Sequence, residues 1–170
     1  MLGGVLILVR HGRTAANAEG RLQGRLDLEL DEVGLRQAIA VAELVLCDTT
    51  VDAVISSPLQ RATQTADRFG MPYDVDERWI ELAYGEWEGK PHKAVPEAWA
   101  RWKQDPGYVP EGGESLAALA RLRRKWVGSF CDLPRVASAA RTYPGLISVA
   151  PPGLRFSRFA LSKFPGLVGL

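Results

Sequence analysis

The residues able to do covalent chemistry are few in this 170-residue chain, and they cluster. His11 follows Arg10 and precedes Gly12, Arg13 and Thr14, with Asn17 a little further on, just after the apolar run Val5 to Val9. A neutral imidazole is a competent nucleophile when its far nitrogen donates to a fixed acceptor. Arg10 offers a forked donor suited to phosphate oxygens. Gly12 lets the chain turn tightly and leaves room for a phosphoryl group. A lone His-Gly pair reads as a structural histidine beside a surface arginine. The whole run at a strand end points instead to attack on a phosphate ester.

Two further blocks supply what that chemistry needs. Ser56-Ser57-Pro58-Leu59-Gln60-Arg61-Ala62-Thr63-Gln64-Thr65-Ala66 opens a helix with Arg61 in its first turn. A cation there opposes the helix dipole, which suggests an anionic partner, but taken alone the block reads more readily as an arginine on a solvated face. Glu81-Leu82-Ala83-Tyr84-Gly85-Glu86-Trp87-Glu88-Gly89 holds three acids among aromatic rings. Release of an alkoxide from a phosphate ester requires a proton, and a carboxyl group beside aromatic rings can be raised in pKa to deliver it. Glu86 and Glu88 flank Trp87 and read as the solvated face of a loop. These residues alone do not decide which acid serves.

The elements that must position these groups alternate. Val5 to Val9 is a branched-apolar run of the kind buried on both faces of a parallel sheet, and it delivers Arg10 and His11 to its C-terminal end. Asp31 is set to cap a helix over residues 32–46, with Leu35, Ile39, Ala42 and Leu46 at helical spacing. Asp52 to Ser56 reads as a second strand. A helix runs from Pro58 to Phe69, stopped by Gly70. Tyr73 to Val75 is an edge strand, and residues 93–104 and 114–126 read as helices. Strands alternating with helices predict an α/β domain, a mainly parallel sheet with helices on both faces in three layers.

Length predicts one domain over residues 1–170. A chain that is 46% hydrophobic and 24% charged, with a net charge of +1, advertises neither nucleic acid nor a membrane surface as partner. Cys47 and Cys131 form no disulfide framework and sit in no metal-ligand spacing, which fits a reducing, cytoplasmic setting. No apolar run is long enough to span a bilayer, and the apolar N-terminus lacks the basic start of a signal peptide. The composition shifts near residue 127. Residues 128–170 hold five basic residues and one acid, and five of the 11 prolines; residues 1–127 hold 16 basic and 19 acidic residues.

The three blocks, taken in order, resemble the histidine phosphatase superfamily, the phosphoglycerate-mutase-like group that also contains small phosphatases. The resemblance spans residues 5–125, with 1–127 family-like. It includes Arg21-Leu22-Gln23-Gly24, Leu30-Asp31-Glu32-Val33-Gly34 and Gly112-Gly113-Glu114-Ser115. It implies a phosphoglycerate-mutase-like fold and a phosphohistidine on His11. Arg10 and Arg61 would clamp the phosphoryl group, and Thr14, Asn17, Gln23 and the Gly24 backbone would line the pocket. Glu81 would be the proton donor. The implied substrate is a small-molecule phosphomonoester, with no metal and no cofactor. In the mutases an Arg-His pair follows the acid matching Glu81. Here Leu82 and Ala83 stand there, and GEWEG looks like the phosphatase branch.

One family feature is missing. The resemblance implies a second histidine in a Ser-His-Gly-like turn after the last core strand, yet the only other histidine is His92, in a polar stretch read as exposed. Leu146 to Ala150 is the nearest positional match, with Val149 in place of histidine. Three explanations compete: a degenerate domain that binds phosphate with impaired turnover, replacement by Arg141 or Arg155, or a tail altered in reading frame. The joint change in charge, proline content and periodicity favours the last. The tail is expected to hold at most a short strand near Leu146 to Val149. The sheet edge it leaves uncovered would then favour a homo-oligomer. A non-catalytic phosphate-binding module, and less so a mutase, are the rival readings.

Overall fold

The computed structural model describes residues 6–120 and 136–139. Strand β1 is Leu6–Val9, followed by the short helix α1 at Ala15–Ala18 and the long helix α2 at Glu32–Asp48. Strand β2 at Ala53–Ser56 leads to α3 at Gln60–Ala66. Strand β3 is Tyr73–Val75, helix α4 is Pro96–Gln104 and strand β4 is Val136–Ala139. The sheet runs β1-β4-β2-β3, and its described pairings are all parallel.

The expected α/β class is therefore what forms. Alternate strand residues point to opposite faces. Ile7, Val9 and Val54 pack on one face with Ala42 and Val45 of α2, Ala66 of α3 and Phe69. Leu6, with the partly buried Leu8, Ala53 and Ile55, packs on the other against Trp79. Burial on both faces explains why β1 is apolar without alternation. A third cluster contains no strand residue. Leu22, Leu82, Tyr84, Trp87, Trp102 and Leu119 close around one another, and Trp99 stacks on Trp102 at 4.9 Å.

Several expectations need correction. In α2 the buried residues are Gly34, Ala38, Ala42 and Val45, while Ile39 is 42% and Leu46 44% exposed. Bulk is a poor guide there, because the helix approaches its neighbours through its smallest residues. Helix α3 is shorter than expected: Pro58 precedes it, and residues 67–69 tighten to a 3₁₀ turn before Gly70 at φ 65°. Helix α4 starts at Pro96, after a 3₁₀ turn at His92–Ala94. Residues 116–120 are helical, as expected within 114–126.

The tail is also corrected. Its strand β4 lies inside the sheet, between β1 and β2, with Val9 and Ser56 both in register with Ala139. The run Leu146 to Val149 and residues Arg141 and Arg155 lie outside the described residues. The proline count was misleading because β4 fits between Pro134 and Pro144.

The approach of α2 to the chain after β1 is backbone on backbone. A β-carbon on Gly12 would overlap the Gly34 carbonyl, and one on Gly34 would overlap the Arg13 carbonyl oxygen. At an unencumbered helix position Gly→Ala stabilises by about 1 kcal/mol. Gly34→Ala should instead destabilise by about 1–3 kcal/mol through overpacking, read from the urea unfolding midpoint. A raised midpoint would contradict this close approach.

Candidate active site

The row Val9, Ala139, Ser56 and Val75 is in register across the sheet. Arg10-His11 and Ser57-Pro58 therefore leave at the same edge, the C-terminal one at which open α/β sheets place their ligands.

His11 Nδ1 lies 2.6 Å from the Gly12 carbonyl oxygen. A carbonyl only accepts, so Nδ1 carries the proton and, in the neutral ring, Nε2 carries the lone pair. The Gly12 amide donates to Thr65 Oγ1 at 3.2 Å, and that hydroxyl donates to the Arg61 carbonyl at 2.7 Å. Thr65 is fully buried. The backbone just after the imidazole is thus held from α3.

The next residue fastens the same loop to α2. The Arg13 amide donates to Gln37 Oε1 at 2.9 Å, and Arg13 Nε donates to Asp31 Oδ2 at 2.8 Å. The Asp31 amide returns a bond to the Arg13 carbonyl at 3.0 Å, and Asp31 Oδ1 caps α2 through the Gly34 amide at 2.8 Å. Burial pushes the Asp31 carboxyl up, but the Gly34 amide, the Arg13 guanidinium and the Val33 amide together hold it below its ordinary value.

Thr14, Asn17 and Gln23 come together as expected. Thr14 caps α1 in a reciprocal box with Asn17, and its hydroxyl donates to Gln23 Oε1 at 2.7 Å. Gly24 turns with φ 51°, a left-handed conformation that favours glycine, and a β-carbon there would strike the Glu88 carboxylate. Arg10 is exposed at the end of β1.

Arg61 is 2% exposed, not a surface cation. Its Nη1 donates to the Leu26 carbonyl and its Nη2 to the Gly24 carbonyl, each at 2.7 Å. Each nitrogen carries a second N–H, so anchoring this loop and binding an anion are compatible. The expected helix-terminus anion has a counterpart inside the protein: the Asp27 carboxylate accepts from the Gln60 amide at 2.7 Å. Gln64 Oε1 accepts from the Leu30 amide at 2.8 Å. Three side chains of α3 therefore hold residues 24–30.

Glu81 is 7% exposed, and its Oε1 accepts from the Leu82 amide at 2.9 Å. Its carbonyl takes a bond from Arg25 Nε at 3.0 Å, and Arg25 Nη2 pairs with Glu114 Oε1 at 2.7 Å. Both side chains of that pair are more than one-third exposed, so it contributes about 0.2–1 kcal/mol. Glu88 corrects the solvated-face expectation. It is half-buried, and its Oε1 accepts from the amides of both Arg25 at 2.9 Å and Tyr84 at 3.1 Å. One carboxylate oxygen therefore joins two segments far apart in sequence, which the solvent-screened Arg25–Glu114 pair does not do through a single atom. Arg13, Thr65 and Glu88 were the residues missed. All three lie inside the quoted blocks, which was the one hint of them, and Glu88 was read there as solvated.

Among the described residues, no three His, Cys, Asp or Glu stand close enough to hold a metal, and no helix is long and apolar enough to cross a membrane.

This arrangement is that of a known family: residues 6–135 match the histidine phosphatase superfamily (branch 1), and the chain belongs to it. It is 41% identical over 123 residues to a glucosyl-3-phosphoglycerate phosphatase of Mycolicibacterium vanbaalenii, covering 68% of this chain and 54% of that protein. It is 37% identical over 127 residues to a metal-independent phosphoserine phosphatase of Arabidopsis thaliana, covering 68% and 53%. A solved mycobacterial glucosyl-3-phosphoglycerate phosphatase complexed with VO3 superposes with a TM-score of 0.73 at 34% identity, over 80% of this chain and 75% of that one. The chain spans about half the length of the curated relatives it matches.

The lowered Asp31 pKa sets a pH dependence. Its contribution to stability is full above the ordinary value of 3.8 and is lost as pH falls below that, through the depressed folded value. Asp31→Asn keeps a good helix cap but removes the charge. Urea midpoints between about pH 5 and pH 2 should therefore fall less steeply in the variant than in the parent. Parallel slopes would show that the Arg13–Asp31 pair does not couple to folding.

Proposed function

We propose that the chain is a phosphomonoester hydrolase acting through a phosphohistidine on His11. The observation that carries this reading is the 2.6 Å contact from His11 Nδ1 to the Gly12 carbonyl, which leaves the Nε2 lone pair as nucleophile at the edge where β1 ends. In the first step Nε2 forms a bond to phosphorus, the ester P–O bond breaks, and the departing alkoxide takes the proton of the Glu81 carboxyl. In the second, water attacks phosphorus, the P–N bond breaks, and Glu81 takes a proton from the water. Arg10 and Arg61 stabilise the phosphoryl oxygens, with Thr14, Asn17, Gln23 and the Gly24 backbone around them.

The substrate is a small-molecule phosphomonoester, and no step uses a metal or a cofactor. The named relatives act on phosphorylated small molecules, and Leu82 and Ala83 stand where the mutases carry an Arg-His pair. On this proposal residues 1–170 form a single domain of cytoplasmic setting, with 128–170 atypical. A non-catalytic phosphate-binding module is the second reading. It is favoured by the lack of any histidine besides His11 and His92. If a donor to the transition state is missing, turnover falls by about 10²- to 10³-fold.

Incubation with an aryl phosphate should leave phosphate on the chain that survives alkali and is lost in acid. His11→Ala should abolish both this label and the turnover. Full activity in that variant would refute the mechanism. Phosphate binding that depends on Arg10 and Arg61, with no label and no turnover, would establish the binding module instead.

A further inference from the structure

We propose that Glu88 is a positioning residue that fixes Glu81, the acid, relative to the phosphate-binding turn at Gln23-Gly24. The proposal rests on the reading of Glu81 as proton donor. One oxygen of Glu88 accepts from the amides of Arg25 and Tyr84, on two segments far apart in sequence. The first segment contains Gly24, whose carbonyl Arg61 holds, and Gly24 is pressed against this same carboxylate. The second runs three residues on from Glu81, whose carbonyl is bonded by the Arg25 side chain. Glu114 closes the loop from outside: its amide donates to the Ala83 carbonyl at 2.9 Å and its carboxylate pairs with Arg25.

The geometry assigns Glu88 the role of acceptor. It sits where the two segments meet, and three residues of backbone join the Tyr84 amide it holds to Glu81, whose carbonyl takes the Arg25 bond. A shift of the 81–84 segment would move the acid away from the ester oxygen while leaving His11 untouched, because His11 is held from α2 and α3. The effect of losing Glu88 therefore depends on how badly the leaving group needs a proton. Alkyl alkoxides need one, whereas a dinitrophenolate leaves without it.

The test is the single-turnover rate of alkali-stable phosphate transfer to His11 in the full chain, from an alkyl phosphate and from 2,4-dinitrophenyl phosphate. Glu88→Ala should slow transfer from the alkyl ester about 10²-fold and from the dinitrophenyl ester by less than about threefold. Glu88→Asp is a milder change that keeps the charge but shortens the reach, and it should show the same split if the alanine variant does not fold. Glu88→Gln retains an oxygen acceptor and should restore the alkyl rate. Equal losses on both esters, or a glutamine variant as slow as alanine, would overturn the positioning role. Glu81→Gln run alongside separates the two readings. If it shows the split and Glu88→Ala does not, only the positioning role falls. If Glu81→Gln shows none, the acid assignment falls and the positioning role falls with it.

Discussion

Two segments of backbone meet without side chains between them where the chain after β1 crosses the first turn of α2, and the candidate nucleophile depends on that contact. Gly12 and Gly34 are the residues that permit it. A single β-carbon on either side would push the segments apart. The Arg13 amide would then no longer reach Gln37, and the Asp31 amide would no longer reach the Arg13 carbonyl. The Gly12 carbonyl that fixes the His11 ring belongs to the same peptide unit as the Arg13 amide. Tautomer and ring orientation are therefore set by a steric constraint on backbone, which is steeper with distance than any one of the hydrogen bonds it makes possible, each contributing about 1 kcal/mol net.

Helix α3 does the same for the other side of the site. Gln60, Arg61 and Gln64 reach the loop at residues 24–30, and Thr65 reaches back to Gly12. Seven helical residues thus tie together the loop after β1 and the loop that carries Gly24. A cation enclosed by carbonyls is already oriented before any ligand arrives, so little reorganisation remains for binding. The Asp27 carboxylate at the start of α3 offsets part of the positive end of the helix, which is why an arginine is tolerated in the first turn.

Much of this was legible in the sequence, and the omissions have a common cause. Branched-apolar runs and Gly or Pro punctuation marked β1, β2, β3 and the Gly70 stop after the turn that follows α3, because those signals report burial and local backbone geometry. The block around His11 and the Thr14, Asn17 and Gln23 group were also legible. The packed face of α2 was not, since side-chain bulk selects Ile39 and Leu46 while close approach selects Gly34 and Ala38. Strand β4 was missed because Val-Ala-Ser-Ala is short and weakly apolar. Glu88 was missed because a carboxylate that accepts from backbone amides on another loop leaves no periodic pattern, and beside an exposed Glu86 it looks solvated.

The position of β4 bears on the second step of the proposed mechanism. The last residue of β4 is in register with Val9 and Ser56, so the strand ends at the edge from which Arg10-His11 departs. No histidine occurs after His92, and His92 itself lies in the turn ahead of α4 rather than at a strand end. On the proposed mechanism, the groups needed to form the phosphohistidine all come from residues 10–81: the nucleophile, two arginines, the pocket amides and the acid. A further cationic donor would stabilise charge on the phosphoryl group in both steps. Were none supplied by the residues outside those described, the loss would bear most on the hydrolytic step, in which a neutral water replaces the positioned imidazole as nucleophile. Such a chain would load phosphate more readily than it releases it, so label on His11 is a more sensitive readout of function than steady-state turnover.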